Sequence, residues 1–210
     1  GRYSPLALED DITPTLFVVM ASAVWFGCSN VAREIVGEAS IFRRERMGRL
    51  RPGPYLLSKL IVQGGLIALQ VALLLAIVIP SIPLQGGVGL LFGVSLLAGW
   101  SAMALGLLVS TVARTELQAI QYVPLVILPQ IMLSGILLPV AGANASKMAL
   151  WLSKPVLLRW AYSSALHVEF GEATVRGQKA LGTGGARFWE RNGFGADQLG
   201  PDVAVMAALG

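Results

Sequence analysis

The sequence predicts an all-α membrane protein. The expected form is a polytopic bundle of transmembrane helices with an amphipathic cytoplasmic connecting helix and a re-entrant or interfacial helical segment on the outside. Three observations carry that prediction. Mean hydropathy is +0.68, with 55% apolar and only 13% charged residues, which places the chain outside the soluble class before any motif is considered. The apolar residues fall into runs of about 20 or more, the length a hydrocarbon core demands. Seven of the sixteen Lys and Arg lie from Arg33 to Lys59, between two of those runs.

The first span is expected over residues 13–32, with Pro14 where a helix start tolerates a missing N–H. Before it lie Glu9, Asp10 and Asp11; after it comes the basic cluster. Basic flanks stay on the cytoplasmic side, so residues 33–48 form an inside connecting helix. The second span, 55–79, starts at the inside face beside Tyr55 and Lys59. An uncharged turn, PSIPLQGG, leads outside to the third span, 88–112. Arg114 and Glu116 mark a short inside connection, and the fourth span, 117–138, ends outside at Pro139.

Residues 139–200 read as an outside region. ASKMALWLSKPVLLRWAYSSALHVEF is apolar but interrupted by Lys147, Lys154, Pro155 and Arg159. It is expected to lie at or dip into the outer interface, with Trp151, Trp160 and Tyr162 at headgroup level. A Gly-rich charged loop follows, and a last span begins near Pro201. Since residue 1 is Gly and the final ten residues only begin an apolar run, both ends are expected to be cut from a longer membrane domain. All 210 residues thus read as one multi-pass domain fragment, integral to the cell (plasma or inner) membrane.

Net charge is +4 and the isoelectric point about 9.6. Because the basic residues flank apolar spans, they fit membrane topology and not a nucleic-acid surface. A single cysteine, Cys28, excludes a disulfide framework. His167 is the only histidine and has no partners for a metal site. No span is expected to contain a buried Asp, Glu, Lys or Arg, which argues against a proton-coupled carrier or a charge-lined ion channel, and none carries the His, acid or metal cluster of an embedded enzyme.

The basic elbow has internal order. On a helix Glu34, Glu38 and Glu45 fall on one face, and Ile35, Ala39 and Phe42 form a neighbouring apolar stripe. Such a helix lies along the membrane with its arginines toward lipid phosphate and presents its acids to a basic partner. A topology signal without any partner accounts for the arginines equally well. Inside the spans, Gln63, Gln70, Trp100, Gln121, Gln130 and Ser134 are polar groups at membrane depth. They line a substrate path or join helices, since lipid offers no hydrogen bonds. Gly64, Gly65, Gly93, Gly99 and Gly106 fit close helix packing.

SNVAREIVGEASIFRRERMGRLRPGPYLLSK resembles the connecting-helix segment of type-2 membrane domains of ATP-binding-cassette transporters, of the G-subfamily (White type) and its bacterial relatives. Glu38, Ile41, Phe42, Arg44, Glu45, Tyr55, Ser58 and Lys59 stand at the positions that carry the likeness. LLVSTVARTELQA (107–119) and PLVILPQIMLSGILLPV (124–140) resemble the family's next inside turn and its fifth helix. The resemblance implies a permease half that works as a dimer of membrane domains. It also implies an ATPase partner, holding ATP and Mg, on the same polypeptide or another. These 210 residues contain no G-x-x-x-x-G-K-[ST] loop, so no cofactor is expected on this chain and no catalytic residue is assigned. The resemblance implies that Glu34, Glu38, Phe42, Arg44 and Glu45 contact the nucleotide-binding domain, with Arg114 and Glu116 as a second contact. The competing expectation is a membrane scaffold or sensor whose elbow holds a cytoplasmic partner or anionic lipid. A weakly polar path suits lipids, drugs and many apolar cargoes alike.

Overall fold

A computed structural model describes residues 5–37, 52–82, 84, 86–136, 147–170 and 199–209. These residues are helical with short turns: α1 Pro5–Val31, α2 Pro52–Val78, α3 Val88–Val112, α4 Glu116–Met132, α5 Lys147–Ser153, α6 Leu157–Phe170 and α7 Leu199–Leu209. Among the described residues, three stretches are long and apolar enough to cross a membrane, Ile12–Gly37, Leu57–Ser81 and Val88–Val112.

The bundle is organised around α1 and α3, which run parallel and share the most extensive interface. Met20 Sδ meets Ser95 near one end, and the backbone after α1 meets Ser110 at the other. Small residues make this seam. A Cβ on Gly27 would lie 2.0 Å from the Gly99 carbonyl oxygen, and one on Gly106 would lie 2.5 Å from that of Cys28. Two backbones touch directly there, as membrane helices do when van der Waals contact has to replace the hydrophobic effect. Gly99 and Gly106 were singled out in the sequence. Gly27 was not, and Gly65 and Gly93 face open space.

Three segments differ from the expected boundaries. Helix α1 begins at Pro5, so Pro14 lies inside it and removes one backbone bond without ending the helix. Helix α4 contains Pro124 and Pro129 and stops at Met132. Gly135, at φ 100°, then turns the chain through a conformation that L-residues rarely adopt. Its 17 residues rise about 25 Å, less than an upright crossing of a core about 30 Å thick.

The third difference is the largest. Helix α6 is packed inside the protein, on α1, α3, α4 and α7, and Tyr162, expected at headgroup level, is fully buried. The Tyr162 ring meets Phe17 edge-on at 5.5 Å. Trp151 remains exposed and Trp160 is half-buried. The Gln130 side-chain oxygen accepts from the Leu158 N–H at 3.3 Å, satisfying one of the donors left open at the start of a helix. At the other end of α6, Glu169 accepts from the Gly86 N–H at 2.7 Å. Helix α6 therefore fills the half of the bundle away from the elbow.

Candidate functional site

Polar side chains gather at the two ends of the bundle. At the elbow end α1 breaks at Ala32 and Arg33, and one further helical turn covers 34–37. A restarted turn leaves its first N–H groups without helical partners. Here α3 supplies the acceptor: the Ser110 hydroxyl receives both the Ile35 and Val36 N–H at 3.0 Å. Glu34 reaches α2, with Oε2 2.9 Å from Lys59 Nζ and Oε1 accepting from Gln63 Nε2. With both partners partly exposed, the ion pair contributes about 1 kcal/mol or less. Its value is in fixing direction.

Glu116, at the start of α4, completes the group. A Cβ on Gly37 would lie 3.0 Å from its Oε1, so the restarted turn sits directly against the Glu116 carboxylate. Asn30, Arg33, Glu34, Gly37 and Glu116 line a polar cleft of about 280 Å³. Glu34 and Glu116, one residue from each of the two contacts expected from the sequence, thus line the same cleft. Arg114 is exposed and its N–H donates to Gln118 Oε1 at 3.0 Å, while Thr115 caps α4 by accepting from the Gln118 N–H. Glu38, Phe42, Arg44 and Glu45 lie outside the described residues.

The polar residues of the spans are not gathered in one place. Gln70 Oε1 accepts from Asn30 Nδ2 at 2.8 Å, and Gln63 binds Glu34 as above, so both glutamines turn to α1. Asn30 and Glu34 are i and i+4, Gln63 and Gln70 i and i+7: two polar stripes that face each other. Asn30 was missed in the sequence, although that spacing is its signal. Trp100 donates its indole N–H to the Gly64 carbonyl at 3.3 Å and borders an open apolar groove of about 560 Å³ between α2 and α3. Ser134 donates to the Ile131 carbonyl, Gln130 caps α6, and Gln121 is exposed on α4.

Each of these bonds is sufficient as a helix contact, and that has a measurable consequence. Gln70→Leu is expected to lower stability by about 1 kcal/mol, since Asn30 loses its partner. A thermal melt checks this, and an unchanged midpoint would mean that the Asn30–Gln70 bond does not hold the helices together.

The opposite end holds a group that the sequence reading missed. Asp202 is 0% exposed and Glu169 2%. Asp202 Oδ2 accepts from the Ser163 hydroxyl and lies 3.6 Å from His167 Nδ1, itself 2.7 Å from the Ser163 carbonyl. Arg159 donates to the Ser153 hydroxyl. No group of three His, Cys, Asp or Glu among the described residues is placed to hold a metal.

Comparison with known proteins agrees with this helical arrangement. Residues 6–170 match the family model described as ABC-2 type transporter. The ABC transporter ATP-binding/permease protein Rv1747 of Mycobacterium tuberculosis (strain ATCC 25618 / H37Rv) is 30% identical over 159 residues, covering 71% of this chain. The match spans only 18% of that relative's length.

Proposed function

From the premise that the chain belongs to the ABC-2 type transporter family, as a membrane-spanning permease part, we propose that it couples ATP hydrolysis on a nucleotide-binding domain outside these residues to export of a substrate. The working unit is a dimer of such membrane domains in the cell membrane, with lipid around it and ATP and Mg held by the motor. The likeness to a protein whose name joins ATP-binding and permease supports that pairing.

The observation that carries the reading is the convergence at the base of the elbow. The turn 34–37 is tied to α2 through Glu34 and Lys59 and to α3 through Ser110, and it meets α4 at Glu116. A push on the elbow reaches four helices at one place, which is what a coupling element requires. A purely topological signal needs no such joint. In this reading Glu34, Glu38, Phe42, Arg44 and Glu45 take the motor's movement and Glu116 receives it beside them.

The test is charge reversal beyond the joint. With the complete transporter in proteoliposomes, Glu45→Lys is expected to cut transport roughly tenfold while ATP hydrolysis continues, the loss of about 1.4 kcal/mol of coupling. Transport that remains ATP-driven at the parental rate removes the assignment and favours a scaffold that binds a partner or anionic lipid.

A further inference from the structure

We infer that Asp202 and a polar stripe on α6 form a releasable latch that closes the end of the bundle opposite the elbow. Arg159, Ser163 and His167 recur every four residues, so they fall on one face of α6, stacked turn above turn. That face is turned into the protein, because Ser163 is 0% exposed and His167 6%. Asp202, in the first turn of α7, meets the stripe at its middle. It takes the Ser163 hydroxyl, has His167 at 3.6 Å on one side, and lies within electrostatic reach of Arg159 on the other. Its second oxygen, Oδ1, is buried and has no hydrogen-bond partner among the described residues.

This arrangement is costly as a fixed support. Buried charges lose their hydration, and an apolar contact of the same shape commonly holds two elements more tightly than an imperfectly satisfied ionic one. The rest of α6 already seats through Leu158, Ala161, Tyr162 and Leu166, all fully buried. Apolar burial and the Asp202 contacts together keep α6 down, the latter at a cost in lost hydration. Whenever the helix lifts, water reaches Asp202, His167 and Arg159 and returns their lost hydration. A closure of this kind is bistable: the apolar seat favours closed, and the hydration of the stripe lowers the cost of open. The Glu169 to Gly86 bond at 2.7 Å ties the far end of α6 to the turn after α2, so lifting begins nearer Asp202. The latch goes beyond the coupling role proposed above and rests on that reading only for its response to ATP.

The test uses the complete transporter in proteoliposomes, with Cys28→Ala and a reporter Ala165→Cys, at a position that is 0% exposed. A membrane-impermeant maleimide is added on the side of α6. The reporter is expected to label slowly in the parent. Asp202→Asn keeps an acceptor for Ser163 but leaves Arg159 without the nearby carboxylate, and labelling should be roughly tenfold faster because an uncompensated buried charge favours the open, hydrated state. Ser163→Ala takes away the hydroxyl bond, and labelling should be several times faster. Equal rates in all three, or no labelling of the parent, overturn the latch. If Asp202→Asn does not accumulate as folded protein, the Ser163→Ala rate decides alone. Rates that shift as expected but ignore ATP keep the latch and remove the transporter reading instead.

Discussion

Gly27→Ala is expected to cost about 3 kcal/mol or more and to leave little folded protein in the membrane. The new Cβ would stand 2.0 Å from the Gly99 carbonyl oxygen and 2.9 Å from both the Gly99 carbonyl carbon and Ala102 Cβ. None of these is the tip of a flexible side chain, so α1 and α3 must separate along their whole contact. Overpacking of a rigid site costs about 1–3 kcal/mol when neighbours can adjust, and here they cannot. Gly93→Ala is the matched control: nothing lies within 4 Å of its Cβ position, and alanine is the better helix former by about 1 kcal/mol. Yield of monodisperse protein and a thermal melt in detergent separate the two. Equal stability of both variants would mean that α1 and α3 do not touch at this seam.

The second large effect is expected at Ser110. Its hydroxyl is the acceptor for two backbone donors, Ile35 and Val36, and it is 2% exposed. Ser110→Ala leaves both N–H groups without it, at about 1–3 kcal/mol for an unsatisfied partly buried group. The cost falls on the turn 34–37, because these are the bonds that the Ser110 hydroxyl makes among the described residues. Amide exchange at Ile35 and Val36 should accelerate about tenfold or more, and under the proposed coupling role transport should fall while ATP hydrolysis persists. Thr111→Ala serves as the comparison, since that exposed hydroxyl bonds only the Leu108 carbonyl of its own helix. If exchange at 35 and 36 stays as slow as in the parent, the joint does not depend on Ser110.

What could be read from the sequence follows from how the signal arises. Helices α2 and α3 stand where long apolar runs are bounded by charge and by Gly and Pro turns, because hydropathy and breakers are local properties. The burial of α6 is not local. Arg159, His167 and Glu169 each lower its hydropathy, so it reads as an interface helix, but they are offset by Ser153, Ser163 and Gly86, which are distant or carry no charge signal. Asp202 was overlooked for the same reason: one acid in an apolar run says nothing until its partners are placed. The basic cluster after α1 stands out in composition, and the joint at 34–37 lies at its start. The joint itself was not legible, because the acceptor, Ser110, is one ordinary serine of an apolar helix.

The direct backbone contact between α1 and α3 also has a mechanical meaning. Side chains between helices act as a cushion that absorbs small displacements, and at Gly27 and Gly106 there is no cushion. The two helices should therefore travel as one stiff beam, and a stroke delivered at residues 34–37 arrives undiminished at the far end of α3, about 37 Å away by helical rise. Compliance has to lie in the parts bolted on more loosely, α2 with its largely exposed apolar face and α6 with its polar stripe.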